Sequence, residues 1–513
     1  MGFLLTASSL VAANRLPPAH EFFTENRVRT FQITVEQPGL AVLERNDRSY
    51  VRATVTEGTN VFKSVGIHLK GMGSFRPFNE KPSLAVKFDK YVPDQDYFGL
   101  SKLMLNNSSQ DSTFLAEYIA TQMFRDGGSP AARVTHAFVE VNGRPLGLYV
   151  AIEAMNRDFL KQYFRNTKGN LYEAYLQDID QKLDLDGGND TTQSDLTNLL
   201  AVARIQKPIE RWLALQQVLE VDSYISHLAL ELFASHTDGY ARNRNNYRLY
   251  HDPSTSRFNF LVHGLDWAYS DTGVPIEPPL GSIITKAVMQ TPQGRQLYRE
   301  RVRQLFTNVF RVDVMTNRVN AAVAKLQAAA RNANEAKEFN NYGSEMRNRI
   351  VARHRNIAEQ IAKPEPKPLV VAVGGTVALA GWKQKEATDR WVQDEPTVDG
   401  RSTFHIRAVK GETIASWRTG VLLEEGSYRL QALARVAQVV ALTNDVKLAN
   451  GAGLRASGEK RTQQLLGDAG WTPLEYEFVV EAGGETKELI CELRARSGEV
   501  WFDKASLKLI RTK

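Results

Sequence analysis

The chain has little of what would staple or anchor it. Among 513 residues there is one cysteine, Cys491, so an intrachain disulfide framework is excluded. Its setting, Leu489-Ile490-Cys491-Glu492-Leu493-Arg494-Ala495, alternates with period two and places the thiol on the apolar face of a strand. A thiol there is a small core residue rather than a nucleophile. No stretch reaches the roughly 18 apolar residues of a membrane span. No Lys/Arg block with interleaved aromatics occurs, and a net charge of +6 is small for this length, so nucleic-acid binding has no support. Nucleotides and anionic glycans stay open as polyanionic partners. The nine histidines form no His-Glu-x-x-His or close metal-spaced pair, and no Gly-x-Ser-x-Gly elbow appears.

What is present is ordinary globular composition, 42% hydrophobic and 24% charged, in a chain too long for one core. Lys363-Pro364-Glu365-Pro366-Lys367-Pro368 is the clearest boundary, because alternating prolines stop a helix and favour an extended spacer. The sequence before it is mixed; the sequence after it is almost entirely β. The expected organisation is an N-terminal segment over 1–25, an α+β domain over 26–362, a linker over 363–368 and an all-β sandwich over 369–513. Met1 to Ala13 resembles the apolar half of a signal peptide without a basic n-region, which points to export, extracellular or periplasmic.

In the mixed part, strands are predicted at 31–35, 50–56, 65–70 and 84–88. A helix is predicted over 114–126, and a hairpin at 137–141 and 146–152 around Asn142-Gly143. A further helix is expected over 224–235, strands at 247–250 and 258–262, and helical sequence over 296–362. In the last part, alternation predicts strands at 403–409, 427–436, 474–480, 489–495 and 500–509. Five tryptophans lie there, Trp382, Trp391, Trp417, Trp471 and Trp501, read as core residues with sugar stacking as the other role.

Three constellations carry chemistry. His68-Leu69-Lys70-Gly71-Met72-Gly73-Ser74-Phe75-Arg76 offers glycines that let backbone amides approach a phosphate, with Lys70, Arg76 and Lys81 as positive charge. It does not match a P-loop, and a plain glycine hairpin turn reads the same way. Lys81 and Lys87 flank a strand just after that turn, where a kinase keeps its phosphate-holding lysine; solvated strand lysines are the plainer reading. The third runs from Asp238 to Asp266. An acid follows a helix, then an asparagine-rich loop, then a hairpin, then a second acid. Phosphoryl transfer needs these parts: carboxylate and amide oxygens for Mg²⁺, and a carboxylate to orient the attacking hydroxyl. A polar loop with Asp-Gly and Asn-Asn turns fits the spacing equally. Asp184-Leu185-Asp186-Gly187-Gly188-Asn189-Asp190 has calcium-loop composition, but Asn189 and Asp195 stand where an EF-hand needs Gly and Glu.

Taken in order, Lys70-Gly71-x-Gly73-Ser74, Lys81-x-Ser83, Leu103-x-Leu105-Asn106 with Asp111, Val141-Asn142-Gly143-x-x-x-Gly147-Leu148-Tyr149-x-x-x-Glu153, and Asn246-Tyr247-x-Leu249-Tyr250 ahead of Asp266 resemble the CotH kinase family of spore-coat-type atypical protein kinases. The resemblance spans roughly residues 30 to 360. It implies an atypical protein-kinase-like domain using ATP with Mg²⁺ or Mn²⁺ to phosphorylate Ser/Thr hydroxyls of exported or surface proteins. It implies Lys81 as the phosphate-holding lysine, with Lys87 second. Lys70, Gly71, Gly73 and Ser74 would form the nucleotide turn, with Glu153 on the adenine side. Asp238 would be the catalytic acid, Asp266 the principal metal ligand, and Asn246, before Asn243, the second. Many members read Pro-Trp-Asp-x-Asp where this chain reads Val262-His263-Gly264-Leu265-Asp266. The all-β part resembles a carbohydrate-binding jelly roll, which implies polysaccharide contact. The alternative is a non-catalytic kinase-fold scaffold that binds glycan through that part.

Overall fold

The structure, a computed structural model, describes residues 17–364, 367–385, 389–442, 450–480 and 484–513. The signal-like segment through Leu16 lies outside the described residues, as do Glu365 and Pro366 of the Pro-rich boundary. The chain forms two compact units, the first holding most of the residues up to Lys363 and the second Pro364 onward with the short segments Gln206–Ile209 and Gln290–Pro292.

The first unit is α+β. Strands β1 (Arg29–Val35), β2 (Val51–Glu57), β3 (Asn60–Lys70), β4 (Ser83–Lys87), β5 (Lys102–Asn106), β6 (Val134–Val141) and β7 (Arg144–Glu153) close into a barrel ordered β1-β2-β3-β4-β5-β7-β6. Period two produces it. β1 alternates buried and exposed along its whole length, and Phe31, Ile33 and Val35 meet Val55, Ile67, Leu84 and Tyr149 in the barrel core. Parallel pairing of β1 with β6 closes the barrel, a long-range contact that no local pattern announces. The Asn-Gly hairpin forms as predicted, with Asn142 and Gly143 both at positive φ, 48° and 78°. The Asn142 side chain also accepts the Val35 N–H at 2.7 Å and donates to the Val35 carbonyl at 2.9 Å, continuing the β1 ladder past its last strand partner.

The Ala116–Asp126 helix follows β5 and buries Ile119, Ala120, Met123 and Phe124. Asp111 opens it. Its Oδ1 accepts the Thr113 N–H and hydroxyl, and its Oδ2 accepts the Ala116 N–H at 2.8 Å, satisfying donors that a helix start leaves open. Beyond the barrel, β8 (Leu171–Ala174), β9 (Asp184–Gly187), β10 (Tyr247–Asp252) and β11 (Arg257–Val262) form a sheet ordered β11-β10-β8-β9. The sequence pattern predicts β10 and β11 and misses the two short strands. The Val221–Phe233 helix packs into the same core as this sheet and is almost wholly buried. The helical sequence over 296–362 is three helices, Pro292–Asn308, Val312–Ala328 and Ala333–Ile361.

From Pro364 on, the regular structure of the described residues is β strands and one 3-10 turn. Its longest strand, Glu485–Asp503, is continuous where alternation predicts two strands. The strand changes partners midway. Thr413–Leu423 and Gly451–Ala456 pair with its first half, and Arg401–Ala408 and Gly426–Ala441 mainly with its second. Gly498 sits at the changeover with φ 99°, where a Cβ would lie 2.4 Å from the Gln438 carbonyl oxygen. The core gathers Trp417, Leu430, Leu454, Leu489, Leu493 and Phe502, with Cys491 fully buried among them. The core reading of the tryptophans holds for Trp417. Trp382 and Trp391 lie at the margin, and Trp471 and Trp501 are half-buried. Among the described residues no helix is long and apolar enough to cross a membrane.

Candidate active site

Lys70 ends β3 and pairs with Ser83 at the start of β4, so the turn over 71–82 leaves the barrel at the end where β5 also stops. Gly71 has φ 99°, and a Cβ there would lie 2.9 Å from the Ser74 hydroxyl. Asn107 pins the turn by donating to the carbonyls of Ser74 at 3.1 Å and Lys81 at 2.8 Å.

At this barrel end the Lys70 amine donates to Asn106 Oδ1, and Asn106 Nδ2 donates to the Glu117 carboxylate at 3.3 Å. Glu117 stands in the first turn of the Ala116–Asp126 helix and is 5% exposed. The backbone N–H of Leu265, the neighbour of Asp266, faces this carboxylate and opposes the rise of its pKa. Glu117, Asp266, Asp111, Asn106 and Ser74 line one small cavity. Burial raises the Glu117 carboxyl, and the Asp266 charge adds to it. Burial likewise raises Asp266, reinforced by Asp111 and Asp238 and opposed by Lys70. Burial lowers the Lys70 amine, and Glu117 and Asp266 oppose that. The common cause is removal of charge from water. Lys70 faces Glu117 and Asp266, while Asp111 has the Arg349 guanidinium at 3.7 Å, so the two buried acids beside Lys70 are the ones with oxygen left for a hard cation. Among the described residues no three His, Cys, Asp or Glu side chains are grouped to hold a metal by themselves.

The Val221–Phe233 helix delivers the loop that carries Asp238. Three amides converge on this carboxylate: Asn243 Nδ2 on Oδ1 at 2.5 Å, and on Oδ2 both Asn245 Nδ2 at 3.0 Å and Asn246 Nδ2 at 2.9 Å. A carboxylate has about four lone-pair sites, so Oδ1 keeps one acceptor position. Gly264 explains the approach of Asn246. Its φ is 64°, and a Cβ would lie 2.5 Å from Asn246 Oδ1. The departure from Pro-Trp-Asp-x-Asp is therefore steric as well as chemical: residue 264 must lack a side chain for Asn246 to sit there. His263 is held neutral, its imidazole lowered to about 4 chiefly by burial.

The structure brings Asn246 and Asp266 to Asp238, and Lys70 to Asp266. It puts the two favoured lysines elsewhere. The Lys81 amine lies over the rings of Phe114 at 4.5 Å and Tyr149 at 5.2 Å, and burial lowers it to about 8. Lys87 faces Asp89 at 4.0 Å. Lys70, offered for the turn, is the lysine whose charge meets Asp266. Glu153 is 1% exposed, with Arg133 at 2.6 Å and Gln162 at 2.6 Å on the same oxygen, so its partners are protein groups rather than a nucleotide. The acidic run 184–190 is likewise accounted for by the fold. Asp186 pairs with Arg248 at 2.5 Å, and Asp190 accepts from Thr192 and Ser194 ahead of a helix. The residue sequence reasoning missed is Glu117. Its signal is weak but present: it shares a helix face with Ala120, Thr121 and Phe124, all buried, which places an acid on an apolar face.

The model of the family described as CotH kinase protein matches residues 67–362. The inner spore coat protein H of Bacillus subtilis (strain 168) is 20% identical over 288 residues, covering 52% of this chain and 78% of that protein. Among solved structures, the proinflammatory kinase CtkA of Helicobacter pylori is similar at a TM-score of 0.25 and 9% identity, covering 62% of this chain and 94% of that one. The carbohydrate-binding module TmCBM61, solved with β-1,4-galactotriose, is similar at a TM-score of 0.19 and 14% identity, covering 26% of this chain and 90% of that one. The family match holds Lys70, Glu117, Asp238, Asn246 and Asp266 within its bounds and spans more than half of the sequence: this chain belongs to the CotH kinase family.

Proposed function

We propose that the first unit transfers the γ-phosphoryl group of ATP to Ser/Thr hydroxyls of exported or surface proteins. The observation that carries this reading is the cavity lined by Glu117 and Asp266, whose charges act on Lys70, with the Asp238 charge acting on Asp266 and Asn246 bonded to Asp238. Lys70, steered by Asn106 and Glu117, is placed to hold phosphate oxygens. Asp266 and Asn246 Oδ1 would hold the divalent cation, Mg²⁺ or Mn²⁺, which when bound neutralises charge on the phosphates. Asp238, fixed by its three asparagines, orients the acceptor hydroxyl through the open position on Oδ1 and takes its proton. The acceptor oxygen then bonds to the γ-phosphorus as the bond to the β-bridging oxygen breaks, and ADP leaves with that electron pair.

The test is incubation of the purified protein with γ-labelled ATP and Mg²⁺ or Mn²⁺, alone and with a Ser/Thr-rich acceptor. Label should appear on protein in wild type and fall by about 10²-fold or more in Asp238→Asn and Asp266→Ala. Equal, background-level label in wild type and Asp266→Ala would sink the reading.

For the second unit we propose polysaccharide contact. Trp471 is half-buried, donates its indole N–H to Asp399 at 3.0 Å, and carries the Arg401 guanidinium 5.3 Å from its ring. With Arg401 over one ring face, the other face would take the apolar C–H face of a sugar ring, and the charges of Asp399 and Arg401 its hydroxyls. Retention on insoluble polysaccharides that Trp471→Ala abolishes supports this; equal retention of both proteins removes it.

A further inference from the structure

Arg353, on the Ala333–Ile361 helix, is the largest fully buried side chain, with 0% exposure. A buried guanidinium ordinarily sits against a carboxylate. Among the described residues this one makes no ion pair, and its hydrogen bonds go to neutral oxygens. They fall into two groups. Nη2 and Nε donate to the carbonyls of Leu232 at 2.6 Å and Phe233 at 3.2 Å, the last residues of the helix that leads to Asp238. Nη1 donates to the carbonyls of Val274 at 2.5 Å and Thr272 at 3.2 Å, in the segment that follows Asp266. Asn356 Oδ1 orients the guanidinium at 2.7 Å. Two turns beyond Arg353, Gln360 holds the second of these segments again. Its Nε2 donates to the Val274 carbonyl at 3.2 Å, and its Oε1 accepts the Ile276 N–H at 2.8 Å. The two held segments also touch directly, through the Tyr269 N–H and the Ala234 carbonyl at 2.7 Å.

We infer that Arg353 is a positioning residue: by tying the end of the helix that leads to Asp238 to the segment after Asp266, it sets the two acids in register. The inference rests on the phosphoryl-transfer reading of the site. The burial cost supports it. Burying a guanidinium is costly, and here the cost is offset by hydrogen bonds to four carbonyls rather than by a carboxylate, so the charge serves the backbone it holds. What an apolar chain lacks is a rigid fork of donors that reaches four carbonyls on two segments. Helix-end carbonyls have no partner within their own helix, and Arg353 uses that free valence to couple the Val221–Phe233 helix to a loop remote in sequence.

The experiment compares wild type with Arg353→Met and Arg353→Lys in the full chain. Arg353→Met should lower kcat by about 10²-fold, the loss expected from sub-ångström to ångström misplacement of catalytic groups. KM for ATP should stay within about threefold, and Arg353→Lys should recover part of the loss. Amide hydrogen exchange should rise at 268–276 and 234–238 in Arg353→Met. Should Arg353→Met fail to fold, Gln360→Ala gives the same readouts in milder form. Unchanged kcat in folded Arg353→Met overturns the inference, and so does unchanged protection of both segments. If wild type itself transfers no phosphate, the kinase reading fails first, and the exchange data still decide whether Arg353 couples the two segments.

Discussion

Lys70 and Lys81 flank the same glycine-bearing turn, and the fold gives their ammonium groups opposite surroundings. Lys70 ends a strand and points to Asn106 and the buried acids; Lys81 lies against two aromatic rings. Lys70→Met should therefore lower phosphate transfer by about 10²- to 10³-fold, while Lys81→Met should change it by less than about tenfold, both read from initial rates with labelled ATP. The reverse ranking would restore Lys81 to the phosphate role. Gly264 makes a second prediction at this scale. A Cβ at its left-handed φ would strike Asn246 Oδ1, so Gly264→Ala should displace Asn246 and lower transfer by about 10- to 10²-fold, accompanied by weaker Mn²⁺ affinity. The order of acid, asparagine and acid was legible in the sequence because those residues lie in a contiguous stretch. Glu117 was not, because its role arises where a helix start, a barrel end and the Leu265 N–H meet, and those are far apart in the chain.

At the scale of elements, the helix carrying Glu117 depends on Asp111. Removing its three hydrogen bonds by Asp111→Ala should cost about 1–2 kcal/mol and reduce the thermal stabilisation given by ATP with Mg²⁺. A lowered melting temperature with an undiminished nucleotide shift would separate the cap from the site. The element beneath the Asp238 loop has a pH signature. Glu231 is 1% exposed, accepts the Ala241 N–H, and leaves no room for a Cβ on Gly239. Burial raises its carboxyl to about 8 from the ordinary 4.5. Between those values the folded protein holds a proton that the unfolded chain has released, so the contribution of Glu231 to stability falls as pH rises. Glu231→Gln removes that dependence. Melting temperatures from pH 5 to 8 should show the wild type dropping progressively below the variant; a constant difference would mean the carboxyl is ionised in the fold. Local pattern located most strands and the Asn142-Gly143 hairpin. It did not reveal barrel closure by β1 and β6, nor that Glu485–Asp503 is a single strand, because both depend on partners distant in sequence.

At the scale of the whole molecule, the two units have separate apolar cores: among the described residues three clusters lie in the barrel and helical part and one in the β part. Their electrostatics differ as well. In the second unit Glu492 is 1% exposed and takes both arms of Arg455 at 2.9 and 3.0 Å, while the Nε atoms of Arg461 and Arg494 lie 3.4 and 3.2 Å from its Oε1. One carboxylate thus faces three guanidinium groups, and they hold it below the usual carboxylate range despite burial. Glu492→Gln keeps the shape and removes the charge, leaving the arginines facing one another. Breaking a buried pair in this way costs about 3–5 kcal/mol. Calorimetry of the intact chain should then resolve two transitions. ATP with Mg²⁺ should raise one of them, by the mass-action term for a ligand that binds only the folded first unit. Glu492→Gln should lower the other and leave the nucleotide-responsive transition in place. If the substitution pulls both down together, the two cores unfold as one cooperative system and the division at Pro364 has no thermodynamic meaning.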